Sequence, residues 1–556
     1  MLLLVLIAAS ADTTPGPEGG AASTAPVSSA PATASSRPTK PRRTPEGYVC
    51  LGRGNTNAYY IDADGDGYGV ASPKGPDADD ADASVNTPAS VLAKYSTLDA
   101  FLAHRGYNPQ RIFYIAPDGS DATGAVGAVS RPFASWTGVA SQLQAGDMVM
   151  YREGTYGANL VSLSGFHATA DQPLVVMAYP GERVVSQTSG GDGAFMRYSS
   201  HVIVDGLVIE SVSQGVGNGV YLYGWEGQPL HNVTLRNIES SGHGRELKAM
   251  QNLHDVLVEG CVFHHASSHN VYLGARDLPN SNLTFRNNLL YGGSSNPNFQ
   301  HNGQVTNLVL EGNIIHSSES DGVGLLNGVS DSVVRNNLIF NNRKKGLVFF
   351  NYDPPAGSDC LPHPMTGNQI INNTIWVGQY GPSGDTGPAA HAAVLFNDST
   401  TAGEGEITGT VLRNNILRTQ TGPVILFEQR DFADTTTIEN NLMYRDAGDI
   451  VMGYGGSIWG GGDVYGFADF EAFSPLIQNN MFASPMFASV STEYWDTPEA
   501  FDFAPIEGSP AIGLALADAA PATDLHGTTR DGMPDAGAYE RQRGPSGGNR
   551  RLLAPD

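Results

Sequence analysis

The sequence predicts an all-β solenoid, and three observations carry that prediction. A short phrase recurs between Val202 and Asn441: a few alternating apolar residues, Asn-Asn or a Gly/Asn equivalent, two apolar residues, then a polar loop. Its spacing is nearly constant, at 27 residues from Gly260 to Asn287, 25 from Asn287 to Gly312 and 24 from Gly312 to Asn336. A period of this size marks stacked repeats. The runs alternate with period two and are rich in Val, Ile, Leu and Thr, so each repeat is strands and turns rather than helix. Copies begin at Val233, Val256, Leu283, Leu308, Val333, Ile370, Val411 and Ile438. Stacked Asn side chains at the corners are expected to form an internal ladder and to tolerate a left-handed turn.

Composition agrees with a turn-rich β protein. There are 67 glycines, and charged residues make up only 16% of the chain. The net charge is −25, which argues against a nucleic-acid binder, since that function needs a basic footprint. The three cysteines, Cys50, Cys261 and Cys360, form no CxxC pair and predict neither a zinc site nor a disulfide framework. Cys261 lies in a strand phrase and reads as a small buried hydrophobe.

In chain order, residues 1–11 are a short apolar run ending in Ala-Ser-Ala, read as a secretory signal peptide. Residues 12–45 are rich in Pro, Ser, Thr and Ala and read as a disordered tether. No apolar stretch is long enough to span a bilayer. A secreted or cell-surface protein, and a monomer, are expected. Residues 46–90 carry Tyr59-Tyr-Ile-Asp-Ala-Asp-Gly-Asp-Gly-Tyr-Gly and Pro76-Asp-Ala-Asp-Asp-Ala-Asp. Asp at alternate positions followed by glycine is the opening of an oxygen-donor calcium loop, though the closing Glu of an EF-hand is absent. Residues 91–108 have helical spacing and a Gly stop, so 91–111 reads as a helical spacer. The solenoid is placed at 112–540 and a disordered tail at 541–556.

Two resemblances extend this reading. The acidic stretch resembles thrombospondin-type and related bacterial metal-binding repeats, except that Ala78 stands where those repeats have a cysteine. The resemblance implies calcium as cofactor and Asp62, Asp64, Asp66, Asp77, Asp79, Asp80 and Asp82 as its ligands. Further on come Phe113-Tyr-Ile-Ala-Pro-Asp-Gly-Ser-Asp, Arg131-Pro-Phe-Ala-Ser-Trp, Ala145-Gly-Asp-Met-Val-Met-Tyr-Arg and Gly154-Thr-Tyr. This series closely resembles the opening segment of right-handed parallel β-helix proteins of the pectin-lyase-like superfamily. It implies that fold, with a helix near 134–143 capping the first coil. The phrases at Ser509, Asp524 and Pro534 resemble the closing segment of secreted bacterial members.

Carbohydrate-active members of that superfamily bind along one strand face. The strand after each Asn-Asn corner and its loop is the candidate, because a parallel sheet presents equivalent side chains from successive coils about 4.8 Å apart. Its first coils carry Tyr221, Tyr223, Trp225, Glu246, Tyr272 and Gln300 as candidate substrate-binding residues. Lys248, His269, Arg276 and His301 are the candidate catalytic residues. Strand alternation places Glu246 and Lys248 outward if Leu247 and Ala249 point in, while the parity of His301 stays open. Aromatic rings beside charged groups suit a sugar groove. The leading expectation is an extracellular polysaccharide lyase on acidic, uronate-containing glycans. The alternatives are a non-catalytic glycan-binding or adhesion module, or a glycoside hydrolase using two of Glu246, Asp277, Asp321 and Asp353. Arg343-Lys-Lys345 is read as a solvated turn.

Overall fold

Apolar residues at alternate positions turn one side of each strand inward, and a residue that accepts positive φ must then redirect the chain. The computed structural model describes residues 42–43, 48–50, 59–353, 363–378, 391–400, 406–454, 463–490 and 501–541, with only the backbone of 42–43, 48–50, 59, 276–277 and 430–431. Within them the chain winds as a parallel β-solenoid with three faces. Face A contains Val161–Ser164, Ala194–Arg197, Asn218–Tyr223, Arg245–Met250 and the opening parts of His269–Arg286 and Phe299–Glu311, and continues to Ile450–Tyr454. Face B runs from Arg111–Ile115 to Ile477–Gln478. Face C has 12 strands, from Gly154–Tyr156 to Met481–Phe482. Register stacks like on like: Val220, Leu247, Val271, Phe299, Val323 and Leu347 follow one another inside face A.

The two halves of the Asn-Asn phrase do different things. The first residue makes the corner between faces B and C with positive φ: 53° at Asn237, 61° at Gly260, 55° at Asn287, 65° at Gly312 and 54° at Asn336. Gly and Asn interchange there because they enter the left-handed region most easily. The second residue points inward. Asn288, Asn313, Asn337, Asn373, Asn415, Asn441 and Asn480 form a ladder in which each Nδ2 donates to the next Oδ1 at 2.9 to 3.0 Å. Cys261 takes this position one coil earlier and is buried, its thiol pushed up to about 12 by desolvation.

The ends and sides are covered. Trp136–Ala140, shorter than the 134–143 expected, closes the first end; Trp136 Nε1 donates to the Ser162 carbonyl. The expected single helix over 91–108 is two, Pro88–Tyr95 and Leu98–His104. Ser96 leaves the first in the left-handed region at φ 65°, and the Thr97 side chain caps the second. Phe101 and Leu102 bury against Met148, Met150, Val175 and Met177 on the outside of face B. Residues 501–541 run back along the solenoid as a strap. Phe501 and Phe503 cover Phe340 and Trp376 on the outside of face C. The outward corner asparagines hold the strap: Asn336 Nδ2 donates to Thr523 O, Asn372 to Asp535 O and Asn414 to Leu516 O.

Arg42–Arg43, inside the stretch read as a tether, instead pair antiparallel with Tyr48–Cys50, which satisfies backbone groups that a solvated tether leaves to water. The stretches expected to be a signal peptide, the rest of the tether and the tail beyond Arg541 lie outside the described residues. Among the described residues no helix is long and apolar enough to cross a membrane.

Candidate functional site

Strand register fixes which side chains face out of the early coils of face A. Phe195, Tyr221, Lys248, Tyr272 and Gln300 form one outward row along the coil axis. Arg197, Tyr223, Met250, Gly274 and Asn302 form the row two residues further along the strands. Arg245 and His269 are in register just before them.

These groups meet. Lys248 Nζ lies 4.7 Å from the Tyr221 ring centroid, and the Arg245 guanidinium 5.1 Å from that of Tyr272. The His269 ring is 4.9 Å from Tyr272; its Nε2 is 3.1 Å from Gln300 Oε1 and its Nδ1 2.8 Å from Ser268 Oγ. His269 is 5% exposed, and burial pushes its pKa down to about 4, so the ring is neutral at pH 7. Beside this cluster, Phe195, Tyr221, Tyr223 and Trp225 follow at centroid distances of 5.4, 6.0 and 6.0 Å. Trp225 is 49% exposed.

Two expected site residues are not on this surface. Glu246 is 0% exposed and turned into the corner. Its carboxylate accepts from Ser240 Oγ at 2.7 Å and from the His243 backbone N–H at 2.8 Å, and His243 Nδ1 lies at 2.7 Å. Alternation fails there because the corner precedes the strand: Glu246, Asn270 and Asn298 share one register position and all are buried. His301 aligns with Leu273 and Leu325 and points into the core, where burial pushes its pKa down to about 3. It cannot reach a bound polymer. The side chains of Arg276 and Asp277 lie outside the described residues. Lys345, read as part of a solvated turn, is 8% exposed, while Arg343 pairs with Glu319 at 2.7 Å.

The acidic loop lies at the corner of faces B and C. Oxygens of Asp62, Asp64 and Asp80, and of Asp64, Asp66 and Asp77, converge within 4.8 Å of one another. Asp64 Oδ2 and Asp77 Oδ2 are buried without a hydrogen-bond partner. Burial first, and then the neighbouring carboxylates, push Asp77 up to about 7 and Asp80 up to about 8. Such a set fits a hard cation with oxygen ligands. The glycines shape the loop: a Cβ on Gly69, at φ 143°, would lie 1.8 Å from the Ile61 carbonyl oxygen. Asp79 and Asp82 stand apart from both groups. Asp79 is 3.5 Å from His104, and Asp82 pairs with Lys94. Cavities of 300 and 870 Å³ adjoin this loop, and the larger is lined by Arg236, Glu259, Arg286 and Glu311, side chains already committed to ion pairs.

A family model for the right-handed β-helix region matches residues 183–339 and 218–467, together more than half of the chain. The chain belongs to the right-handed β-helix family. Similar solved structures include pectate lyase Pel9A, at 15% identity over 79% of this chain and 98% of that one, with a TM-score of 0.49. XylC in complex with xylose has 9% identity over 78% and 98%, with a TM-score of 0.45. The A-module of the Azotobacter vinelandii mannuronan C-5 epimerase AlgE6 has 14% identity over 61% and 91%, with a TM-score of 0.40. No curated protein matches the chain. Likeness at these levels says nothing of activity, which rests on the β-helix's own side chains.

Three of those side chains were not singled out from sequence: Arg245, Phe195 and Arg197. Arg245 was signalled only by sharing a register with His269. The other two lie before the regular Asn-Asn phrases begin, where no repeat marks the strand.

Proposed function

We propose that this β-helix protein acts outside the cell on acidic, uronate-containing polysaccharides, and does so as a lyase. One observation carries the proposal. Arg245 and Lys248 stand with the phenols of Tyr221 and Tyr272 on adjacent coils. No outward position on the face A strands between Asn218 and Asn302 holds a carboxylate among the described side chains. A hydrolase needs two carboxyl groups across the scissile bond. A lyase needs cations that neutralise the uronate carboxylate and groups that move protons. In the elimination, the proton on the carbon next to the carboxylate is removed, the C–O bond to the leaving sugar breaks, a C=C bond forms and the leaving oxygen is protonated. Arg245 and Lys248 meet the carboxylate, and the phenols of Tyr221 and Tyr272 stand beside them as proton-transfer groups. His269 and Gln300 brace each other at the edge of the cluster, and Trp225 offers a ring face for a sugar.

The test is incubation with pectate, alginate and chondroitin while following ultraviolet absorbance of unsaturated product. New reducing ends without absorbance mean a hydrolase, and binding without either means a binding module. Lys248→Ala and Arg245→Ala are expected to lower kcat/KM by about 100-fold while the circular dichroism is unchanged. Near-normal turnover in both variants refutes the site.

We also propose that Asp62, Asp64, Asp66, Asp77 and Asp80 hold calcium, which relieves their mutual repulsion and pins the loop to the solenoid. Export to the cell surface belongs to the same reading and rests on the apolar run 1–11.

A further inference from the structure

The positive charge on face A is not spread evenly along the groove. Among the described outward side chains of the strands from Val161–Ser164 to the opening of Phe299–Glu311, charge falls on two coils. One carries Arg197 and the other carries Arg245 and Lys248. The coil between them presents Asn218, Tyr221 and Tyr223. The coil after them presents His269, neutral by burial, and Tyr272. Asp192, at the edge of the Arg197 coil, is turned to Asn218, whose N–H and Nδ2 donate to its Oδ1 at 3.2 and 2.7 Å.

The spacing has a chemical meaning. Two coils along the axis is about 9.6 Å, close to one disaccharide unit of an extended glycan. Arg197 is exposed and anchored, its Nε donating to Ser164 Oγ at 2.8 Å. Its guanidinium lies 5.6 Å from the ring centroids of both Phe195 and Tyr198. A guanidinium fork placed this way suits a carboxylate or sulfate.

We infer that the ligand of this face is a glycan with acidic groups on alternate sugars, one held at Arg245 and Lys248 and the next at Arg197. The neutral sugar between them stacks on Tyr223. The inference rests on the acidic-glycan reading above and narrows it to repeating disaccharides of one acidic and one neutral sugar. On a contiguous polyuronate the intermediate carboxylate would lose water against the Tyr223 ring, with no cation of that coil to meet it and Lys248 engaged over Tyr221.

The experiment is calorimetric titration of the full chain with size-matched hexasaccharides: chondroitin for alternating charge, oligogalacturonate and oligomannuronate for contiguous charge. The alternating chain is expected to bind about tenfold tighter. Arg197→Ala, an exposed position whose loss spares the core, should weaken both classes by about tenfold, since each places a carboxylate there, while Tyr223→Arg, which adds a cation to the intermediate coil, should erase the advantage of the alternating chain. Equal or tighter binding of a contiguous chain overturns the inference, as does unchanged affinity in Arg197→Ala or an unchanged ratio in Tyr223→Arg. If Lys248→Ala still abolishes binding in those cases, the acidic-glycan reading stands without it. If neither class of hexasaccharide binds, both readings fall.

Discussion

Replacing Asn337 with alanine tests whether the inner ladder holds the coils together. Asn337 Oδ1 accepts from the backbone N–H and from Nδ2 of Asn313, each at 2.9 Å. Its Nδ2 donates to Asn373 Oδ1 at 3.0 Å and to the Leu310 carbonyl at 2.8 Å. All of these groups are buried. In the variant, Asn373 Oδ1 keeps the backbone N–H of residue 337. The Asn313 N–H and one hydrogen of its amide lose their acceptor in a place water does not reach. Two stranded donors at about 1–3 kcal/mol each give a loss of about 2–6 kcal/mol. Asn287→Gly is the control. Asn287 is exposed at a positive-φ corner, and its neighbours Gly260 and Gly312 fill the same place with glycine. That change should stay within about 0.5 kcal/mol. Urea unfolding followed by tryptophan fluorescence compares the three proteins. A loss below about 1 kcal/mol for Asn337→Ala, or an equal loss for Asn287→Gly, refutes the division of labour within the Asn-Asn phrase.

Acid should destabilise the fold through buried histidines. Burial holds His269 near about 4 and His301 and His316 near about 3. These values are depressed, so the unfolded chain binds protons below about 6.5 that the folded one refuses, and stability falls as pH drops from there towards 4. Three such groups give at most about 4 kcal/mol per pH unit. His316 stacks between Tyr291 and Phe340, so His316→Phe should flatten that slope by up to a third; an unchanged slope would remove His316 from the account. Glu246→Ala should cost about 3–5 kcal/mol in thermal melting, because Ser240 and His243 lose a buried acceptor. A near-native melting temperature would show that the network is dispensable. Calcium should raise the melting temperature of the full chain relative to chelator. Asp64→Asn should remove that rise and Asp82→Asn should keep it, since Asp82 is paired with Lys94. Identical melting with calcium and with chelator rejects the metal.

The fold was legible in the sequence because its signals are periodic and local. The Asn-Asn phrases mark both the corner and the ladder, and the alternation of Val, Ile and Leu marks the strands. The site was legible only where that alternation holds. Tyr221, Lys248 and Tyr272 could be placed outward by counting in twos, and the register agrees. Glu246 could not, because the strand is still leaving the corner at that register position and its side chain turns inward, as those of Asn270 and Asn298 do. His301 could not, because its face depends on which neighbour it pairs with, and pairing with Leu273 turns it inward. Ser96 split the spacer helix because Thr97 offers a second cap, a choice that spacing alone leaves open.

The location of the site also follows from what covers the rest of the solenoid. The outside of face B carries the two helices at its start and then cross-strand ion pairs, Arg236 with Glu259, Arg286 with Glu259 and Arg335 with Glu311. The outside of face C lies under the strap and the acidic loop, with Ile61 and Val70 beside Tyr539 and Phe503. On face A the later coils present Val348, Leu395 and Leu426, all buried. The earlier coils, from Phe195 to Gln300, keep half-exposed aromatic and cationic side chains in register. Rings and cations left open to water on one stretch of an otherwise covered solenoid contribute little to the core. Their arrangement is accounted for by a ligand laid along the coils, and truncating them should change binding far more than stability.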